Sequence, residues 1–281
     1  MSHWRRLVID SRFRTEDSES HANFRVALKY PVQLPRGSRM YVDAVQMSHS
    51  WTTVISGKND HLYLEEEIIS PFLQTPLRVL VIPHGNYNTA TLRTTLQTVL
   101  NHGKSVAGDY TVTLDQDAFA IHLTADPSTE RARLYTSSAA DRKYLETAIP
   151  TTYVGHHANE LIGHHSSSET PIEIYTGSSL YMKFADLSHY KQVFLHAPGL
   201  GESSMQLSNG NTDCVRRFVC NTVRGEIITS ELQHSLAPIT FSSDTALNVL
   251  HFQLKGSDGE LLPVFGHEVS FELVIVRPGD E

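Results

Sequence analysis

The strongest pattern of apolar and polar positions lies in residues 79–124, where the spacing changes twice. Val79, Leu80, Val81 and Ile82 form a short apolar run that Pro83 stops, and Gly85-Asn86 supplies turn residues, so a strand ends here. Leu92, Leu96, Val99 and Leu100 then recur at helical spacing along one face about 100° wide, with Arg93, Gln97 and the threonines outside it. Asn88 or Thr89 suits the N-cap, and Gly103 sits where a left-handed residue ends a helix. Further on, Tyr110, Val112 and Leu114 alternate with threonines, as Phe119, Ile121 and Leu123 do with Ala120, His122 and Thr124. Asp115-Gln116-Asp117 lies between the two runs, so the stretch reads as strand, helix, hairpin.

On either side the period is two. Leu7, Val8 and Ile9 make a short strand, followed by the polar stretch SRFRTEDSESHAN, which is expected to be exposed and arm-like. Phe24, Val26 and Leu28 alternate with polar or small residues up to Pro31, and Met40 to Met47 follows the Pro35-Arg36-Gly37 turn as its antiparallel neighbour. His61 to Glu65 is a third strand. A strand is expected at 133–135, a short helix at 138–147, and a helical turn from Ala158 to Ile162 that Gly163 stops. Strands then return at 172–175, 179–184, 192–196, 215–219, 226–232, 247–254 and 269–276, with Gly256-Ser257-Asp258-Gly259 as a hairpin turn. Short strands punctuated by turns, with one clear helix among them, argue a mainly β antiparallel sandwich with an inserted α+β piece.

Composition narrows the function. At 281 residues the core is not limited by size, and 23 basic against 31 acidic residues (net charge −8) offer no general attraction for nucleic acid or anionic lipid. No apolar run approaches the ~18 residues of a spanning helix, so no membrane insertion is expected, and the N-terminal apolar row is too short for a secretory signal. Cys214 and Cys220 fall on one strand face roughly 20 Å apart, too far to pair, which suits two reduced, buried thiols.

Candidate chemistry is sparse. His157, Glu160 and His164 would share one face of a helix, a set able to hold Zn²⁺, but the spacing is not HExxH and the flanks are polar loop, so exposed histidines are the plainer meaning. Glu65-Glu66-Glu67 suits an exposed acidic strand end better than a hard-cation site. GxSxG, P-loop, GxGxxG and CxxC motifs are all missing, so no enzyme and no cofactor are expected. Arg12 and Arg14, beside Glu16, Asp17 and Glu19, suit a hydrated loop able to order against a neighbouring subunit. Trp51 and Tyr87, in loops flanking strands, are candidate interface anchors alongside them.

The order of these pieces carries a resemblance. VIDSRFR, FRVALKYP, MSHSWTTV, HLYLEE, GNYNTATLRTTLQTVLN, YTVTLD, ANELIG and the closing LHFQLKGSDGELLPVFGHEVSFELVIV resemble the minor capsid or penton-type proteins of polinton-like and adinto-like viruses and related large eukaryotic DNA viruses. The chain departs from that pattern after Gly163, where relatives tend to carry an apolar aromatic and His164 stands here. The resemblance implies a jelly-roll β-sandwich built from residues 1–78 and 176–281, with 79–175 as an inserted α+β subdomain. It implies a structural virion protein, made in the host cytoplasm or nucleus, that forms a homo-oligomer such as a pentamer. Its other partners would be a double-jelly-roll major capsid protein and further minor capsid proteins. A receptor- or carbohydrate-binding β-sandwich, such as a spike or fibre head, is the alternative of a different class. A metal-dependent hydrolase using the histidines ranks third.

Overall fold

The computed structural model describes residues 5–69, 73–74, 77–115, 118–124, 130–136, 157–163, 172–175, 179–188, 190–200, 202–203, 212–230 and 238–279. The chain divides into two compact units, Met1–Trp51 with Tyr190–Glu281, and Thr52–His189. The first unit begins with β1 (Arg5–Asp10), β2 (Asn23–Leu34) and β3 (Arg39–Ser48). The second holds β4 (His61–Ile68), β5 (Leu73–Gln74), β6 (Arg78–Val81), α1 (Thr89–Asn101), β7 (Asp109–Asp115), β8 (Ala118–Thr124), β9 (Glu130–Leu134), β10 (Ile172–Tyr175) and β11 (Ser179–Phe184). The first unit resumes with β12 (Gln192–His196), β13 (Glu202–Ser203), β14 (Cys214–Val219), β15 (Ile227–Ser230), β16 (Ile239–Thr240), β17 (Thr245–Lys255) and β18 (Val269–Val276).

The topology of the first unit follows from its eight principal strands. One sheet runs β1-β18-β3-β15, with β16 and β13 continuing past β3; the other runs β2-β17-β12-β14. Counted along the chain, the order is first-eighth-third-sixth in one sheet and second-seventh-fourth-fifth in the other, which is the jelly roll. Alternation supplies the core: Phe24, Val26, Val32 and Leu34 of β2 and Leu250, Phe252 and Leu254 of β17 are buried, as are Phe271, Leu273 and Ile275 of β18. Phe252 touches Phe24 within its sheet (5.7 Å between ring centroids) and meets Phe271 of the opposite sheet edge-on at 4.8 Å, so the two inner faces pack directly.

Two bulges break the simple period. In β3 the buried positions run Met40, Val42, then Val45, Met47, because Ala44 takes φ +32° where the register with β18 shifts between Ser270 and Glu272. In β2, residues 28–31 bulge out between the pairs Ala27↔Val249 and Val32↔Leu247, so that Leu28, expected inside, is only half-buried and Tyr30 turns to solvent.

The polar stretch after β1 is not a loose arm. Asp10 caps a short 3₁₀ turn (Ser11–Phe13) by accepting from the Arg12 N–H, and the buried Ser11 hydroxyl accepts from the Val269 N–H at 2.9 Å and contacts His21 at 2.7 Å. The Thr15 N–H donates to the Arg25 carbonyl, and Asp17 pairs with Arg25 at 2.6 Å, so the segment lies along the outer edge of β2.

In the second unit, β10-β9-β4-β5 form one sheet, with β6 also pairing with β4, and β11-β8-β7 form another. Leu92, Leu96 and Leu100 of α1 pack with Leu62, Leu64, Leu80, Ile82, Tyr110, Val112, Phe119 and Ile121 in one apolar cluster, as the helical spacing predicted. Asn88 caps α1 through a reciprocal exchange with Thr91, and Gly103 follows at φ +66°. This unit is wider than the 79–175 insert expected from sequence. Residues 52–78 belong to it because β4 pairs with β6 and β9, and 179–184 because β11 pairs with β8. The turn from Ala158 is present, with the Ile162 N–H donating to the Ala158 carbonyl and Gly163 at φ +79°. The helix expected at 138–147 lies outside the described residues.

Candidate functional surfaces

The acidic run on β4 is buried, contrary to the expectation of an exposed strand end: Glu65, Glu66 and Glu67 are each less than 5% exposed, at 3%, 0% and 4%. Each carboxylate is matched. Glu66 lies on the same strand face as Leu62 and Leu64; it pairs with Arg78 of β6, accepts from the Tyr110 hydroxyl at 2.9 Å, and accepts from the Ser105 N–H at 2.6 Å. Arg78 reaches on to the carbonyls of Leu100 (3.1 Å) and His102 (2.6 Å), where the C-terminal end of α1 welcomes a cation. On the other face, Arg131 of β9 forks onto Glu67 at 2.6 and 2.8 Å, and the Tyr135 hydroxyl donates to Glu65 at 2.6 Å. Glu130 accepts from the Ala107 and Gly108 N–H groups at 2.7 and 3.1 Å.

This network sets the local electrostatics. Arg131 holds the Glu67 carboxyl below the usual range, and burial beside Glu66 pushes the Tyr110 hydroxyl well above its usual value. With guanidinium, hydroxyl and amide donors already on these oxygens, the run works as a structural seam joining β4 to β6, β7, β9 and the loop after α1. Sequence pattern missed it because a run of three glutamates names no partner, and the arginines come from strands more than ten residues away.

The candidate metal ligands are dispersed. His157 bridges to His61 of β4 and packs edge-on against Tyr63 at 5.1 Å, Glu160 is exposed, and His164 lies outside the described residues. Among the described residues no group of three His, Cys, Asp or Glu side chains is arranged for a metal. Cys214 is buried and Cys220 half-buried; neither is in a disulfide, and burial pushes the two thiols up to about 11 and about 12.

Two of the four candidate interface anchors, Trp51 and Tyr87, look inward, while Arg12 and Arg14 are exposed. Trp51 is 2% exposed, 4.3 Å from the His49 ring and edge-on to Tyr190 at 6.1 Å, which leaves no indole face for another chain. Tyr87 is half-buried against the second unit's apolar cluster and donates its hydroxyl to the Pro83 carbonyl at 2.8 Å. Arg12 forks onto Asp10, whose carboxyl it holds below the usual range, and Arg14 reaches His21 at 2.9 Å and the Ser11 carbonyl at 3.3 Å.

Large apolar side chains face solvent at several places, among them Val81 of β6, Val249 of β17, and Leu261 and Phe265 after β17. Val8 on β1, Phe13 in the turn after it and Tyr30 in the β2 bulge are 71%, 74% and 69% exposed. Val219, Val223 and Ile227 are 57%, 67% and 51% exposed where β14 turns into β15. The alternation hid these residues. Tyr30 is turned out by the β2 bulge, and Phe13 sits in a stretch whose polar composition suggested a plain loop.

Two sheets in this order, with a folded unit inserted between the third and fourth strands, define a jelly roll. Among solved structures the chain is similar to the mavirus penton protein, with a TM-score of 0.56 over 97% of this chain and 98% of that one, at 8% identity. What the two share at that identity is the fold, and to that extent the penton-type resemblance holds. A chain of the Sputnik virophage aligns over 98% of both chains at 13% identity with a TM-score of 0.47, and no argument rests on it. No family model matches the chain, and no curated protein does.

Proposed function

We propose that the chain is a structural virion component, a minor capsid protein of penton type that associates with copies of itself and contacts a double-jelly-roll major capsid protein. The observation that carries this reading is the alignment with the mavirus penton protein over 97% of the chain, which takes in the inserted unit as well as the sandwich. The exposed apolar residues Val219, Val223 and Ile227 around the β14–β15 turn support it, since neighbouring apolar side chains away from a core suit contact with another subunit. The first residue set to test is Phe13, Tyr30, Val223 and Ile227. These take the place of the inward-facing Trp51 and Tyr87, and the exposed Arg12 and Arg14 stay beside them as interface candidates.

Two measurements test the reading together: the mass of the purified chain by light scattering, and its presence in purified particles. A ring-sized assembly or a stoichiometric particle component is expected. A monomer that is also absent from particles would overturn it. Phe13→Ser and Val223→Asp should each weaken association by about 2 kcal/mol if these residues lie at the centre of a contact.

A further inference from the structure

We propose that the outer face of α1 binds a carboxylated sugar, such as a terminal sialic acid. This function lies beyond the capsid reading and does not rest on it. A groove of about 320 Å³ runs along the helix, lined by Arg93, Thr94, Gln97, Thr98 and Asn101, a size that admits one sugar residue with parts of its neighbour.

Apart from Arg93, the polar groups of the groove are held in place before any ligand arrives. Asn101 donates to the carbonyls of Gln97 (2.8 Å) and Tyr110 (2.7 Å) and accepts from the Tyr110 N–H (2.9 Å). Gln97 accepts from the Val112 N–H at 3.2 Å, which orients its amide and leaves the NH₂ end as a donor. The Thr94 and Thr98 hydroxyls donate back to the carbonyls of Ala90 (3.3 Å) and Thr94 (3.0 Å), so their oxygens remain as acceptors. Arg93 is exposed, and among the described residues it has no hydrogen bond or ion pair.

This pattern selects the ligand. An unpaired guanidinium presents a fork that matches a carboxylate, and the Gln97 NH₂ adds a neutral donor on the same helix face, one turn on. The threonine oxygens, one helical turn apart, accept from hydroxyl groups, and a sugar ring carries several spread across its width, whereas phosphate at neutral pH carries only one or two on a single compact centre. The side chains fixed by β7 and by the helix backbone lower the ordering cost of binding.

Saturation-transfer NMR on the full chain tests this, with 3′-sialyllactose as probe, lactose as the neutral control and inorganic phosphate as competitor. Transfer to the sialic acid protons is expected, with none to lactose, and Arg93→Ala should weaken binding at least about tenfold. Because Arg93 is exposed, that variant should keep the wild-type unfolding temperature, and Arg36→Ala, on the other unit, should bind as wild type does. Equal transfer to lactose would overturn the proposal. So would displacement by phosphate at equal concentration, unchanged binding by Arg93→Ala, or no transfer to sialyllactose at all.

Discussion

Removing the charge of Glu66 should loosen the second unit at one identifiable place. The carboxylate is fully buried, its partner Arg78 has a side chain 13% exposed, and the pair joins β4 to β6 beneath the C-terminal end of α1. Glu66→Gln keeps the shape and an oxygen for the Ser105 N–H, but leaves Arg78 without its counter-charge. Breaking a buried pair in this way costs about 3–5 kcal/mol. The two helix carbonyls that Arg78 still reaches place Glu66→Gln at the low end, about 3 kcal/mol, and Glu66→Ala, which also strands the Tyr110 hydroxyl and the Ser105 amide, near the high end. For a unit of this size that is a fall in Tm of about 3–4 °C per kcal/mol, or on the order of 10 °C for Glu66→Gln. Amide hydrogen exchange gives the local readout: Ser105 protection should drop about a hundredfold. Glu66→Gln combined with Arg78→Met should recover most of the loss, since neutral residues of similar volume can replace a buried pair. The reasoning is refuted if Glu66→Gln unfolds within about 1 kcal/mol of wild type with Ser105 protection unchanged.

Other outcomes follow from the same contacts. A Cβ at Gly256 would lie 2.1 Å from a ring carbon of the buried Tyr190, so Gly256→Ala should cost about 1–3 kcal/mol in chemical denaturation, relieved in part by Tyr190→Leu. Asn88→Ala removes the α1 cap and should cost about 1 kcal/mol, read as faster exchange of the first-turn amides. The Glu67 carboxyl is depressed in the folded state, so its contribution is full at neutral pH and lost as pH falls below the usual carboxylate range; Glu67→Gln should flatten the acid limb of a stability–pH curve. Both thiols are raised when folded, so stability should decline as pH rises past about 9, where unfolded thiols begin to ionise, and iodoacetamide at pH 8 should label them only on unfolding.

The parts legible in the sequence were those whose partners are near in the chain. Leu92, Leu96 and Leu100 declare a helix face by spacing alone, and the hairpin of β7 and β8 declares itself by alternation around one turn. What stayed hidden depends on distant pairing. The Glu65-Glu66-Glu67 run reads as surface until Arg78, Arg131 and Tyr135 are brought beside it, and nothing in its spacing reports that β4 is covered on both faces. The solvent-facing apolar residues stayed hidden for the opposite reason. A bulge changes which way a side chain points without changing the residue types, so Tyr30 reads as one more strand residue.

Trp51 shows how the jelly roll can carry an insert of this length. It is the last residue of the sandwich before the chain enters the second unit, and Tyr190 is the first after the chain returns. Their rings meet edge-on at 6.1 Å inside the first unit, with Tyr190 in turn packed over Gly256 and bonded through its hydroxyl to Asp258 at 3.2 Å. The exit and entry points are therefore fixed side by side, and to the sandwich the insert is a long loop with a closed neck. Closing such a loop grows only logarithmically more costly with its length, so a folded unit can occupy the connection provided its ends start close together. On this account the aromatic pair serves the sandwich's own stability, and Trp51→Ala should lower it by about 3–5 kcal/mol, the usual loss for a buried large aromatic. Equal stability of wild type and variant would show that the neck is held by something other than these two rings.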